Sequence, residues 1–279
     1  MAATIGIVSI GQEPAFFAAR YFREILTAAG QSAVERGNQV KIISLSHEQC
    51  ASPGAARALL ASQGIGALLV VAPSEALLAA LGEIFSATPG IIISPPRLDI
   101  PLSYVASDNF GATRQLVEHL AVHGRRRILL LRPDILTGDY WERTRGYEAG
   151  ATAYDLPRLV DALPHPITPE LVERLLATHT PDALIAPGDD DALPLLGVLK
   201  RLGRRVPEDI ALVGFDDEEF AAETNPPLTT VAQPIAEMAR RATLYLSDRL
   251  AGVERHVYHT VLSNRLVVRE SCGAGPLSK

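Results

Sequence analysis

Short apolar runs that alternate with longer stretches of helical periodicity constrain this chain more than any other feature. Residues 4–10 (TIGIVSI), 39–45 (QVKIISL), 67–72 (ALLVVA) and 90–94 (GIIIS) are brief, apolar and rich in β-branched side chains. Between the first two, 15–37 carries Phe17, Tyr21, Ile25, Ala28 and Ala29 near a 3.6-residue period, and Gly37 follows as a stop. Residues 53–63 and 75–86 read as two further helices, the first closed by Gly64. Near-continuous apolar strands are covered on both faces, and strands that alternate with helices build βαβ units around a parallel sheet. The expected class is α/β.

The pattern runs on through a strand at 102–106 and a helix that Asp108 or Asn109 caps and Gly124 stops. It then restarts. Strands are expected at 127–131, 183–186 and 210–214, with helices at 141–154, 169–178 and 190–202. A helix at 234–250 and a late strand at 261–268 close the chain, and the proline-rich segment 156–169 reads as a loop or partial strand. Two runs of β-α repeats with a break near Gly124 predict two lobes. In open parallel sheets a ligand lies outside the carboxyl ends of the strands, so the residues just after each strand are the ones to inspect.

Charge and cysteine content narrow the function. The 26 Lys and Arg against 32 Asp and Glu leave a net charge of −6, which excludes a surface built throughout to hold nucleic acid. Cys50 and Cys272 are too few for a disulfide framework or a cysteine zinc site, and they fit a reducing cytoplasm. No Lys or Arg precedes Arg20, so the basic start of an export signal is missing, and the most apolar stretch, 65–81, is broken by Pro73, Ser74 and Glu75. A cytoplasmic protein without a membrane span is expected. No P-loop, Gly-x-Ser-x-Gly elbow or His-Glu-x-x-His is present. His119 and His123 stand i,i+4 but lack carboxylates at ligand positions. Neither catalysis, a metal nor a cofactor is expected. The groups Arg125, Arg126, Arg127 and Arg201, Arg204, Arg205 read as solvated turn residues rather than as a nucleic-acid patch.

Several segments, taken in order, resemble the lactose/galactose repressor (LacI/GalR) family of bacterial transcription regulators. They are SDNFGATRQLVEHLAVHG at 107–124, RTRGY at 143–147, PDALIAPGDDDAL at 181–193, VPEDIALVGFDDEEFAAETNPPLTTVAQ at 206–233 and LSNRLVVRESC at 262–272. The fourth carries the Val-Pro-x-Asp-Ile strand, the Gly-Phe-Asp-Asp turn and the Pro-Pro-Leu-Thr-Thr-Val run of that family. The resemblance covers essentially the whole chain. It implies a two-lobed, type I periplasmic-binding-protein-like fold, each lobe a parallel sheet flanked by helices, with three crossovers. The lobes are expected at 1–124 plus 233–252 and at 125–232 plus 256–272, with crossovers near Gly124, Ala232 and Arg255. The helix-turn-helix domain usual at the family's N-terminus is not found in this sequence. The expected role is an effector-sensing and dimerisation core. It would bind a sugar-like or purine-like molecule between the lobes, form a homodimer, and reach operator DNA through the missing domain. The alternatives are a sugar-transport solute-binding protein, which needs an export signal, and an α/β enzyme, which needs a catalytic constellation.

The resemblance also nominates site residues. Asp216 follows the strand at 210–214, where a carboxylate can accept hydrogen bonds from two hydroxyls of a polyol, whereas Asp217 reads as a turn cap. Arg143 corresponds to the family's cleft arginine, a planar fork suited to vicinal hydroxyls or a carboxylate. The family's usual Asn-Asp pair is Gly188-Asp189 here, which removes one amide and leaves Asp189 either facing the ligand or capping the helix. Phe110 stands where some sugar-responsive members carry a carboxylate, and it offers a stacking face instead. Phe16, Phe17, Tyr140 and Trp141 also fall near expected strand ends. Glu13 and Pro73 lie where the loops after strands one and three begin. The expected ligand set is Glu13, Phe16, Pro73, Phe110, Trp141, Arg143, Gly188, Asp189 and Asp216.

Overall fold

A computed structural model describes residues 2–11, 20–133, 137–253 and 256–274. Among these, six parallel strands form one sheet in the order β11-β5-β4-β3-β1-β2. They are β1 (Thr4–Ile10), β2 (Gln39–Leu45), β3 (Ile65–Val71), β4 (Gly90–Ile93), β5 (Tyr104–Ser107) and β11 (His259–Leu262). Alternation along each strand sends one set of side chains to each face. Ile5, Ile7, Ala67, Leu69, Val71, Ile91 and Ile93 pack on α1 (Arg20–Glu35) and α9 (Ile235–Leu250). The intervening Val8, Ile10, Leu68, Val70 and Ile92 pack on α3 (Pro53–Ser62) and α4 (Leu78–Phe85), which flank the opposite face. α9 presents Ile235, Met238, Ala239, Ala242, Tyr245 and Leu246, a helical stripe buried against the sheet. A one-turn helix, α2 (His47–Ala51), follows β2 behind a Ser46 capping box.

Four parallel strands form the other main sheet, in the order β7-β6-β8-β9: β6 (Ile128–Arg132), β7 (Leu159–Ala162), β8 (Ala183–Ile185) and β9 (Ala211–Val213). One face meets α5 (Asn109–Val122) and α6 (Gly138–Ala153) through Ile128, Leu130, Ile185, Leu116, Val117 and Tyr147. The other meets α7 (Pro169–His179) and α8 (Asp189–Arg201) through Leu129, Leu131, Val172, Leu195 and Val198. α5 and α6 approach closely because Gly146 and Gly150 lie at their contact. A Cβ on Gly146 would stand 2.2 Å from the Phe110 carbonyl oxygen. Tyr147 is fully buried, and its hydroxyl donates to the Ile128 carbonyl at 2.7 Å and accepts from the Leu159 N–H at 2.8 Å. A short antiparallel pair joins β10 (Thr230–Ala232) to β12 (Arg265–Val267). No helix among the described residues is long and apolar enough to cross a membrane.

The chain divides into Met1–Ser107 with Pro234–Leu262, and Asp108–Gln233 with Ser263–Lys279. The expected break near Gly124 is therefore corrected to Ser107/Asp108. Gly124, at φ 88, only ends a helix, whereas the apolar face of that helix (Leu116, Val117, Leu120) shares a core with Ile128 and Tyr147. The expected strand at 261–268 is two strands, β11 beside β5 in the first unit and β12 beside β10 in the second, interrupted at Ser263 and Asn264. The segment 156–169, left open between loop and strand, supplies β7 at the edge of its sheet.

Candidate functional site

In the second unit β6 leads outward to β7, and the chain then returns to the other side of β6 as β8. The switch point therefore lies between β6 and β8, where an open α/β sheet parts at its carboxyl edge. A narrow cavity of about 10 Å³, room for a single water, lies there. β6 contributes Leu130, Leu131 and Arg132, and β8 with its following loop contributes Ile185, Ala186 and Pro187. α6 covers it with Tyr140, Arg143 and Thr144, and Phe215 closes the side toward β9.

Arg143 is the organising side chain. It is 7% exposed. Its Nε donates to Asn109 Oδ1 at 2.7 Å and one terminal nitrogen to the Pro187 carbonyl at 2.6 Å. Its guanidinium carbon lies 3.5 Å from the Phe215 ring centroid and 4.9 Å from that of Tyr140. The planar cation is thus clasped between aromatic faces and fixed in plane by two hydrogen bonds. Its other terminal nitrogen faces Asp216 Oδ1 at 3.9 Å. Burial raises the pKa of the Tyr140 hydroxyl, with Arg143 opposing the effect, so Tyr140 is neutral at physiological pH.

Asp216 occupies a left-handed backbone conformation, φ 104, that costs a non-glycine residue about 1–3 kcal/mol. Its N–H bonds the Val231 carbonyl at 2.8 Å, and Gln233 Nε2 donates to Oδ1 at 2.6 Å. The carboxylate is 35% exposed. Asp217 is committed elsewhere, with Arg269 at 2.7 Å and Arg265 at 3.7 Å.

Asp189 is fully buried. It accepts from Thr230 Oγ1 at 2.7 Å and from the Glu218 N–H at 2.8 Å, tying the start of α8 to the Asp216 turn and to β10. Desolvation pushes its carboxyl up to about 7 against the pull of those two hydrogen bonds, and Asp216 and Asp217 push in the same direction as burial. Asp189 opens α8 behind the N-cap Gly188 and is shut away from solvent in this structure. Gly214 is required beside it, because a Cβ there would stand 2.0 Å from Asp189 Oδ1. Gly188 precedes α8, and a Cβ on it would meet Asp216 Oδ2 at 3.3 Å.

The other expected residues scatter. Trp141 is 54% exposed and does not line the cavity, which its neighbour Tyr140 does. Phe110 stands on α5 with the Arg145 guanidinium 5.8 Å from its ring, also outside the cavity lining. Pro73 is buried just after β3 in the first unit. Glu13 and Phe16 lie outside the described residues. The cavity also contains Arg132, Phe215 and Thr113, which were not singled out from sequence. Phe215 had a legible signal, since it continues the alternation of Ala211 and Val213 onto the face that α6 covers.

The arginine groups are corrected in part. Arg125 donates to the Pro207 carbonyl and Arg127 to those of His179 and Thr180, while Asp182 accepts from the N–H groups of Arg126 and Arg127. These side chains clasp loops together rather than merely meeting solvent. The His119 and His123 ring centroids lie 4.5 Å apart, and His119 Nε2 lies 3.3 Å from Cys272 Sγ. No cluster of three metal-ligating side chains forms among the described residues.

Residues 117–272 match the periplasmic binding protein-like domain. The HTH-type transcriptional regulator CelR of Thermobifida fusca is 31% identical over 285 residues, spanning 96% of this chain and 81% of that protein. A solved transcriptional regulator CelR–cellobiose complex superposes with a TM-score of 0.84 at 28% identity, covering 96% of this chain and 84% of that one. A regulatory protein of the LacI family from Chloroflexus aggregans shares the fold, with a TM-score of 0.83 at 22% identity over 96% of this chain and 98% of that one. A family model that matches more than half of this chain and a 31%-identical relative aligned over 96% of it converge: the chain belongs to the periplasmic-binding-protein-like family of LacI-type transcription regulators.

Proposed function

We propose that this chain is the effector-sensing part of a LacI-type regulator, and that it binds a small saccharide at the carboxyl edge of the second unit's sheet. The observation that carries the reading is Arg143, immobilised between Phe215 and Tyr140 at the switch point with the half-exposed Asp216 beside it. A fixed cation and a fixed carboxylate at one strand edge supply donors and acceptors for adjacent hydroxyls, while the rings offer faces to a sugar's C–H surface. The relative CelR is described in complex with cellobiose, which supports a saccharide for this chain. The Asp216 backbone strain belongs with this reading, because such strain is held where geometry at a site is over-determined. Occupancy of the site would change operator affinity in a homodimer that carries DNA-binding domains, by favouring one of two conformations. Phe110, Trp141, Gly188, Pro73, Glu13 and Phe16 remain candidates for the outer contacts, and the chain works without catalysis.

The test is thermal unfolding with and without cellobiose, other neutral disaccharides and purine nucleosides. A ligand that binds only the folded state adds about 2.7 kcal/mol at a hundredfold excess over its dissociation constant. Asp216→Asn, which leaves the buried contacts of Arg143 in place, is expected to abolish the shift. A saccharide response indifferent to Asp216→Asn, or a response to purines alone, would overturn the proposal.

A further inference from the structure

We infer that the ligand of this site carries an acidic group, a carboxylate or a phosphate on a polyol, and that Arg132 is the residue that selects it. This rests on the saccharide reading above and narrows it. Arg132 ends β6 at the switch point and lines the same cavity as Arg143. Its Nε is buried and has no hydrogen-bond partner. A guanidinium stays charged at any physiological pH, so an unpartnered buried face of it is a standing demand for an acceptor.

Among the described residues, the carboxylates at this edge of the sheet are engaged elsewhere. Asp217 is paired with Arg269 at 2.7 Å, Asp191 with His165 at 3.0 Å, and Asp161 with His179 at 2.9 Å. Asp189 is sealed in with Thr230 and the Glu218 N–H. Asp216 takes the Gln233 amide at 2.6 Å and faces Arg143 at 3.9 Å. Among the described residues no ion pair includes Arg132. The remaining lining is largely apolar (Leu130, Leu131, Ile185, Ala186 and Pro187), which strengthens any charge interaction made there. Arg143 has the Asp216 carboxylate at 3.9 Å, whereas Arg132 has no such counter-charge among the described residues. Planar guanidinium groups match the oxygens of carboxylate and phosphate. Alternation along β6 turns Arg132 toward the face that α6 covers, so the two cations reach the cavity from strand and helix, and the site binds one acidic head group while Asp216 holds hydroxyls.

The experiment compares matched probes on the whole chain by calorimetry: glucose against glucuronate and glucose 6-phosphate, and cellobiose against cellobionate. The acidic member of at least one pair is expected to bind at least tenfold more tightly than its neutral partner, with the uronate and phosphate arms telling carboxylate from phosphate. Arg132→Met keeps the side chain's length without its charge. It should remove that preference, and unfolding without ligand reports whether the variant is folded. Raising salt should weaken acidic binding and leave neutral binding unchanged. Neutral sugars binding as tightly as acidic ones, or an acidic preference that survives Arg132→Met, would overturn the inference. If neutral binding is then lost in Asp216→Asn, the saccharide reading stands alone; if no probe binds, both fall.

Discussion

Replacing Asp189 by asparagine should remove a stability loss that the chain suffers between acid and mildly alkaline pH. Asp189 is fully buried and titrates near 7 in the folded protein, against an ordinary value of 3.8. Between those values the folded state holds a proton that the unfolded state has released. Stability therefore falls as pH rises and levels off above about 7. At about 1.36 kcal/mol per pKa unit, the difference amounts to about 4 kcal/mol over the whole window. Roughly 3 kcal/mol of this falls between pH 5 and pH 8. Asparagine cannot ionise, yet it preserves the connections: its Oδ1 accepts the Glu218 N–H that Asp189 now accepts, and its amide donates to Thr230 Oγ1. For a unit of this size, roughly 3 kcal/mol corresponds to a shift of about 5–10 °C in Tm. The assay is thermal unfolding of both proteins from pH 5 to pH 8 at fixed salt. His119, whose pKa is lowered by burial and then by His123, contributes a slope of the opposite sign. The difference between wild type and variant is thus the quantity to read. Asp189→Asn should gain on the wild type as pH rises. Parallel curves, or a wild type that gains on the variant, would refute the reasoning.

Two glycines of the second unit should respond in opposite directions to alanine. Gly214→Ala drives a Cβ to 2.0 Å from Asp189 Oδ1 and 3.0 Å from Leu228, and should cost at least about 1–3 kcal/mol in urea unfolding. Gly197→Ala, within α8 with nothing inside 4 Å, should stabilise by about 0.5–1 kcal/mol in the same assay. Tyr147→Phe strands the Ile128 carbonyl and the Leu159 N–H in the core and should cost about 1–3 kcal/mol, with the ligand dissociation constant little changed. Arg269→Met removes the 2.7 Å contact to Asp217 and the bond to the Leu228 carbonyl, which hold the Asp216 turn; it should weaken saccharide binding several-fold by calorimetry as well as lower Tm.

Some features of this protein were written locally. Strands β1, β2 and β4 and helices α5 and α9 follow from apolar runs, caps and 3.6-residue stripes, because each element's signal lies within its own residues. Family-like motifs at fixed positions nominated Arg143 and Asp216, and the fold brings the two to 3.9 Å. Tertiary structure alone decided what those motifs could not. β10, which has no apolar run of its own, is a strand only because it pairs with β12 more than thirty residues away, and the single strand expected at 261–268 is split between two sheets by its partners β5 and β10. Gly124 looked like a boundary because it stops a helix, but the lobe to which that helix belongs is set by which core buries Leu116, Val117 and Leu120. Asp189 is removed from solvent by Glu218 and Thr230, 29 and 41 residues downstream, and Arg143 is fixed by Asn109, Pro187 and Phe215 from three separate elements. Burial and hydrogen-bond partnership are properties of groups brought together in space. A linear sequence states the valence of each side chain, and only the fold determines how much of it is left for a ligand.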